Sequence, residues 1–321
     1  MSSVKVSVVL CTYNGGLYLR EQLDSLLNQS FMPYEILIQD DQSTDDTWQI
    51  IEEYKILNAC IKSHQNSQRL GLNQNFITAF FKASGDYIAI SDQDDVWQQD
   101  KLDLYVKALH DKDCCFVYSD SFITDSKLTV TGRFAVPDHT LIDLVWMGLA
   151  PGHSVLFKKD VLLGLKNLHQ IDFIYDWLVG LTALSVGQAK KIDQPATYWR
   201  RHDTTVGRQD FKPVEYEYLK PYQLLFRVFK SLLMGKKLKN FSWQYENISL
   251  ILNNFDNLTR VKAINKFVTY YKQEKPWTMV IACFIYLRLH QHLKIKDWIK
   301  SVYVPLHKYY FYKYTGAGLR G

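Results

Sequence analysis

No apolar run in this 321-residue chain exceeds the eleven residues of 277–287, well short of the roughly 20 that an α-helix needs to cross a bilayer. The chain is therefore expected not to be integral to a membrane. Cysteine is sparse: the five residues Cys11, Cys60, Cys114, Cys115 and Cys283 are odd in number and lack metal-ligand spacing. They read as reduced, mostly buried thiols of a cytosolic protein. Residues 1–11 hold no basic leader, long apolar core or small-residue cleavage site, so no export signal is expected. The first predicted strand runs into Asn14-Gly15-Gly16-Leu17, which lacks the Gly-x-Gly-x-x-Gly turn of a dinucleotide-dependent oxidoreductase. Nor does that turn offer the basic, glycine-rich phosphate loop of a sugar nucleotidyltransferase.

Charge of one sign is short in each half. Residues 1–199 carry 16 Lys and Arg against 25 Asp and Glu, net −9, while residues 200–321 carry 22 against 8, net +14, which together give the overall +5. An acidic front is thus joined to a basic, aromatic-rich rear, which suggests an anionic partner such as a membrane surface, a phosphate-bearing substrate or nucleic acid. A solvated helical surface would look the same in composition.

What is present is 47% hydrophobic content, enough for a full core, at a length that suits one large domain with an extension, or two domains. The front alternates strand and helix patterns. Apolar runs at 4–11, 34–39, 61–64, 87–91 and 114–119 predict strands; helical spacing predicts helices at 17–29, 47–57, 73–83 and 97–110, with Ser43 as a cap ahead of the second. This alternation implies an α/β fold with a mainly parallel sheet sandwiched by helices. Beyond Trp199 only helical periods appear, at 214–233, 241–255, 258–272, 277–292 and 296–312, and a boundary is expected near Gly207, between a domain at 1–207 and a helical region at 208–321.

The densest signal is Asp92-Gln93-Asp94-Asp95, placed straight after the strand at 87–91. Three carboxylates so close raise one another's proton affinity unless a cation neutralises them, most simply a divalent ion. A solvated turn with Asp95 capping the helix that follows is the competing account. Two other predicted strands also end in polar clusters, Thr12-Tyr13-Asn14-Gly15-Gly16 and Asp40-Asp41-Gln42-Ser43. In parallel sheets ligands bind beyond the carboxyl ends of the strands, so three such ends point to one rim.

The segments 6–15, 29–31, 35–45 and 85–97, in that order, resemble the family 2 glycosyltransferases with a GT-A fold, and Ser91-Asp92-Gln93-Asp94-Asp95-Val96-Trp97 is similar to bacterial rhamnosyltransferase-like members. The resemblance covers roughly residues 4–207. It implies an inverting transfer of a sugar, rhamnose being favoured, from a dTDP- or UDP-linked donor to a lipid-linked or polysaccharide acceptor in cell-surface polysaccharide synthesis. It also implies Mn2+ or Mg2+, held by Asp94 directly, by Asp92 through water, and by His202, which alternatively touches the diphosphate. Asp92 is alternatively a ribose contact, and Asp95 supports the site or faces the acceptor.

By the same resemblance Asp41 reads the base, Thr12, Tyr13 and Asn14 pack on base and ribose, and Arg69 lies near the nucleotide. Tyr175-Asp176-Trp177 and Tyr198-Trp199-Arg200-Arg201-His202 resemble two further family elements, with Tyr175 where His is common. Asp176 is then the general base, with a cap on a helix at 177–185 as its structural alternative, and Arg200 and Arg201 neutralise phosphate. His153 and Trp177 fall on the acceptor side. The implied location is cytoplasmic and peripheral at the inner face of the membrane, through the basic rear. A non-enzymatic protein binding nucleic acid or another anion through that rear is the alternative; it leaves the three aspartate-bearing strand ends unexplained.

Overall fold

Strand β1 (Val6–Thr12) is buried at every position, as a near-continuous apolar run must be when strands lie on both sides of it and helices cover the faces. The structure is a computed structural model that describes residues 4–109, 113–136, 140–147, 151–165, 173–202 and 242–272. The chain divides into two units, residues 1–166 with 173–210, and residues 167–172 with 211–321.

In the first unit, β1 is followed by α1 (Gly16–Leu27), β2 (Glu35–Asp40), α2 (Thr47–Leu57), β3 (Ile61–Gln65), α3 (Leu72–Lys82) and β4 (Tyr87–Ser91). Then come β5 (Val96–Trp97), α4 (Lys101–Ala108), β6 (Cys114–Ser119), β7 (Ser121–Thr124), β8 (Val130–Phe134) and α5 (Leu141–Met147). The unit closes with β9 (Val155–Lys158), α6 (Tyr175–Val186), β10 (Gln188–Ile192) and β11 (Thr197–Arg200). The main sheet has the order β10-β6-β9-β4-β1-β2-β3, with helices packed on it.

Strands β4, β1, β2 and β3 are mutually parallel, with Leu10 beside Ser91 and Thr12 beside Asp40. The carboxyl ends of β1, β2 and β4 therefore share one edge, and the three polar clusters read from the sequence lie there together. Strand β9 is antiparallel to both neighbours. Its reversed direction brings the 3-10 turn Gly152–Ser154, just ahead of it, to that same edge.

A smaller sheet, in the order β5-β11-β7-β8, corrects one expectation. The helix expected from 97 begins at Lys101, because Val96 and Trp97 pair with Tyr198 and Thr197 of β11. Apolar residues at helical spacing here serve a strand pairing whose partner is about 100 residues away, which no local pattern reveals. Asp95 consequently caps no helix. Ser43 does not cap α2 either: its hydroxyl and amide donate to Asp40, and Asp45 takes the Thr47 amide.

Of the second unit, α7 (Ser242–Asn253) and α8 (Thr259–Lys272) are described, packed on each other with Ile248, Ile251, Phe267 and Val268 buried. The helices expected at 214–233, 277–292 and 296–312 lie outside the described residues. No helix among the described residues is long and apolar enough to cross a membrane.

Candidate active site

The 92–95 turn is held from two sides. Gln93, the residue between the first two aspartates, clips it to the first strand: its Oε1 accepts the Tyr13 amide at 2.8 Å and its Nε2 donates to the Tyr13 carbonyl at 3.1 Å. A Cβ at residue 15 would displace that side-chain amide, so the Gln93 clip depends on Gly15. From the other side, β11 lays Arg200 along the turn. The Arg200 amide donates to Asp95 Oδ1 at 2.9 Å, and its Nε donates to the Asp94 carbonyl at 2.7 Å.

Arg200 does not neutralise a ligand phosphate, as the resemblance implied. Its guanidinium is buried and spent within the protein, on the Asp94 and Ser126 carbonyls and on Glu21, against the Tyr18 ring. It is a clamp between the aspartate turn, the small sheet and α1. Two residues further, His202 arrives with Nε2 at 2.8 Å from Asp94 Oδ2, its ring 4.7 Å from that of Tyr18. Two of the three residues expected to hold a metal, Asp94 and His202, are thus brought together.

Asp92 and Asp95 take different places. Asp95 is fully buried, so it offers no surface to an acceptor, and its Oδ2 has no hydrogen-bond partner. Burial, with the charges of Asp94 and Asp92, drives its proton affinity well above the usual carboxylate range. Asp92 is half-buried, and burial together with Asp94 and Asp176 pushes it up to about 7. One ligand atom each from Asp92, Asp95 and His153 fall within 4.8 Å of one another.

His153 is buried rather than open to an acceptor. Its Nε2 sits 2.9 Å from Ser121 Oγ, its ring stacks on Trp199, and burial beside Lys101 and Arg201 pushes it down to about 3. The imidazole is therefore neutral at pH 7.

Asp176 stands in the first turn of α6, which begins at Tyr175, so it is not a cap preceding the helix. Oδ1 accepts the Trp177 amide at 2.7 Å and Oδ2 the Gly152 amide at 3.2 Å. Burial raises it to about 6 against the pull of those two amides. Tyr175, stacked on Phe76, reaches Asp92 Oδ1 with its hydroxyl at 3.4 Å. Trp177 is committed to the fold, its indole N–H donating to the Leu144 carbonyl at 2.7 Å and its ring lying 4.7 Å from that of Phe173.

On the β1–β2 side of the rim, Asn14 is exposed with φ 48° and its side chain accepts the Thr44 amide. Thr12 is buried and donates to Asp40, so it braces the turn rather than presenting itself at the surface. The Arg69 guanidinium is exposed and lies 3.8 Å over the Tyr13 ring. Asp41 is buried, and its carboxylate gathers Asn66 Nδ2 and the amides of Leu70 and Gly71 at 2.7–2.8 Å. Gly71 needs its lack of side chain for φ +80°, which aims its amide at Asp41. Asp41 therefore anchors the loop that carries Arg69. The Arg201 amide donates to the Thr124 carbonyl, and its guanidinium lies over Trp199.

Two residues escaped the sequence reading. One is Gln93, which clips the aspartate turn to Tyr13. The other is Lys101, which is fully buried, its Nζ donating to the His153 carbonyl at 2.6 Å and to Thr197 Oγ1 at 2.9 Å. Nothing in a single sequence marks either one.

A family described as glycosyl transferase family 2 matches residues 7–160. An Escherichia coli protein, UDP-Glc:alpha-D-GlcNAc-diphosphoundecaprenol beta-1,3-glucosyltransferase WfaP, is 30% identical over 213 residues, covering 64% of this chain and 81% of its own. The dTDP-rhamnosyl transferase RfbG of Shigella flexneri is 28% identical over 214 residues, covering 60% of this chain and 72% of its own. The solved structure of S. aureus TarS 1-349 in complex with UDP-GlcNAc superposes with a TM-score of 0.53 at 19% identity, over 92% of this chain and 95% of that one. A mannosyltransferase from Pyrobaculum calidifontis, solved with GDP-Man and Mn2+, gives 0.50 at 19% identity, over 99% and 89%. The fold is GT-A, and the chain belongs to the family 2 glycosyltransferases.

Proposed function

We propose that the protein is an inverting, metal-dependent hexosyltransferase that moves a sugar from a dTDP- or UDP-linked donor to a lipid-linked or polysaccharide acceptor in bacterial cell-surface polysaccharide synthesis. The observation that carries this is the convergence at one rim of the Asp94–His202 pair, Asp92 and Asp176, from β4, β11 and α6. Names of relatives support the donor class, since one acts with UDP-glucose and another with dTDP-rhamnose. Rhamnose and glucose are accordingly the first sugars to test.

The residues fit a divalent cation. Asp94 Oδ2 and His202 Nε2 lie 2.8 Å apart, close to the roughly 3 Å that separates adjacent ligands on an octahedral ion with bonds of about 2.1 Å. Asp92, pushed up to about 7, adds a carboxylate that is ill at ease without positive charge. Asp94, His202 and Asp92 would hold Mn2+ or Mg2+, which supplies charge neutralisation for the departing diphosphate. Arg69, exposed over Tyr13, is free to turn toward a phosphate or base, with Tyr13 and exposed Asn14 beside it and buried Thr12 and Asp41 bracing the loops behind. Asp176 takes the proton of the attacking acceptor hydroxyl; a single displacement inverts the anomeric carbon.

A panel of nucleotide sugars assayed for nucleoside diphosphate release tests the reading. Turnover is expected with a UDP- or dTDP-hexose in Mn2+ or Mg2+, falling at least 100-fold in EDTA and returning with added metal. Metal-independent turnover would remove the cofactor, and no turnover with any hexose donor and acceptor would remove the function.

The basic region 208–321 supports a peripheral place at the inner membrane face, since each cation near an anionic surface adds about 1 kcal/mol of attraction. The full chain is expected to cosediment with vesicles containing phosphatidylglycerol at low salt and to release in 0.5 M salt. Equal pelleting with neutral phosphatidylcholine vesicles would contradict a charge-driven membrane contact.

A further inference from the structure

Asp176 is held by a glycine, and that glycine is held by an aromatic ring. The Gly152 amide, which donates to Asp176 Oδ2 at 3.2 Å, belongs to the buried 3-10 turn Gly152–Ser154 ahead of β9. Tyr175, the residue next to Asp176, covers the same glycine: a Cβ built on Gly152 would fall 2.4 Å from the Tyr175 hydroxyl oxygen, 2.8 Å from Cε2 and 2.9 Å from Cζ. Ring and glycine backbone are therefore in contact, with room for hydrogen alone at that position. Behind the ring stands α3. Phe76 stacks on it with centroids 4.1 Å apart and planes inclined by 18°. Asn73 Oδ1 accepts the Tyr175 amide at 3.2 Å, satisfying one of the backbone donors that a helix leaves open in its first turn. Tyr175 is 5% exposed, so the ring is closed in between α3 and the turn.

We propose that Tyr175 is the positioning residue of the acceptor-side base: its ring, wedged between Phe76 and Gly152, keeps the Gly152 amide on Asp176 and so fixes where that carboxylate points. Asp176 has two backbone donors. The Trp177 amide, at 2.7 Å from Oδ1, comes from the same helical turn and is supplied by α6 itself. The Gly152 amide comes from a separate segment, and packing has to hold it there. The ring does this rather than the hydroxyl. The hydroxyl lies 3.4 Å from Asp92 Oδ1, beyond the roughly 2.5–3.0 Å of an effective O–H···O bond, whereas the ring is packed against both Phe76 and Gly152. This inference rests on the function proposed above only for the meaning of Asp176 as the base; the wedge stands on packing and hydrogen bonding alone.

The Gly152 amide can be observed directly in the full chain, because Pro151-Gly152 is the only Pro-Gly pair in the sequence. Labelling proline carbonyls with 13C and glycine nitrogens with 15N leaves one carbonyl-to-amide NMR correlation, that of Gly152. Its proton is expected to move upfield in Asp176→Ala, which removes the acceptor, and in the same direction in Tyr175→Leu, which removes the wedge. An unmoved resonance in Tyr175→Leu would overturn the proposal. If that variant does not fold, Phe76→Leu, which loosens the ring from behind, takes its place with the same two outcomes.

Turnover, read as nucleoside diphosphate release from UDP-glucose or dTDP-rhamnose, reports positioning. Tyr175→Leu is expected to lower kcat about 100-fold, the effect of displacing a catalytic group by about 1 Å, with donor affinity within about threefold of wild type. Because Tyr175 acts through Asp176, adding Tyr175→Leu to Asp176→Ala is expected to slow turnover no further. Losses that multiply, or a loss that appears in donor binding instead of kcat, would overturn the positioning role. Tyr175→Phe keeps the ring and is expected to recover about a third or more of wild-type kcat; a smaller recovery would overturn the role of the ring. Normal turnover in Asp176→Ala would instead refute the base of the proposed function, and the Gly152 resonance would still decide whether Tyr175 holds the amide.

Discussion

Asp94→Asn is expected to reduce sugar-nucleotide turnover by about 1,000-fold, equivalent to roughly 4 kcal/mol of lost transition-state stabilisation, while the melting temperature stays within about 3 °C of wild type. The large effect follows from position. Asp94 Oδ2 faces His202 Nε2 at 2.8 Å, and a neutral amide there is a poorer ligand and a poorer partner for an imidazole. The small structural effect follows from how the turn is held: Arg200 bonds the Asp94 backbone carbonyl, Gln93 clips the turn to Tyr13, and neither needs the Asp94 carboxylate. Turnover in steady-state assays and melting by calorimetry measure the two halves. Near-normal turnover in the variant would sink the assignment of Asp94, and a collapsed melting temperature would show that the residue is structural.

The contrast with Asp95 marks where sequence stops informing. Asp92, Asp94 and Asp95 are chemically alike and nearly adjacent, and the rim they occupy was readable because β1, β2 and β4 are parallel and each ends in polar residues. Their division of labour was not. It is set by Arg200, 105 residues from Asp95, whose amide falls on one carboxylate and whose guanidinium falls on the carbonyl of another. The same long-range pairing of β5 with β11 displaced the start of α4 and turned Arg200 from an expected phosphate ligand into a clamp. Antiparallel β9, which the sequence reading did not foresee, is a similar case: its direction decides that His153 sits beside Asp92 and Asp95. Local patterns foresaw β1 to β4, β6, the helices α1 to α3 and the rim; the later strands went unforeseen, and partners chosen across 50 to 100 residues decided which polar group faces inward.

Asp176→Asn is expected to bind the donor with an affinity within about threefold of wild type and yet transfer sugar to acceptor 100- to 10,000-fold more slowly, the range for loss of a general base. The carboxylate suits that role because burial lifts it to about 6 while the Trp177 and Gly152 amides keep its anionic form in reach near neutral pH. Wild-type transfer should then rise with pH through about 6 and level off, and the variant should lose that limb. Stability moves the opposite way. A carboxylate whose native value is raised from 3.8 to about 6 binds more protons folded than unfolded, so its contribution is fully present below about pH 4 and is lost as pH rises through 6. Relative to wild type, Asp176→Asn should therefore gain stability between pH 4 and 7, by at most about 3 kcal/mol, less whatever the Gly152 amide loses when its acceptor becomes an NH2 group. Donor titration, transfer rates across pH and melting across pH separate these effects. Normal transfer would move the base elsewhere, whereas lost donor binding would make Asp176 a part of the donor pocket.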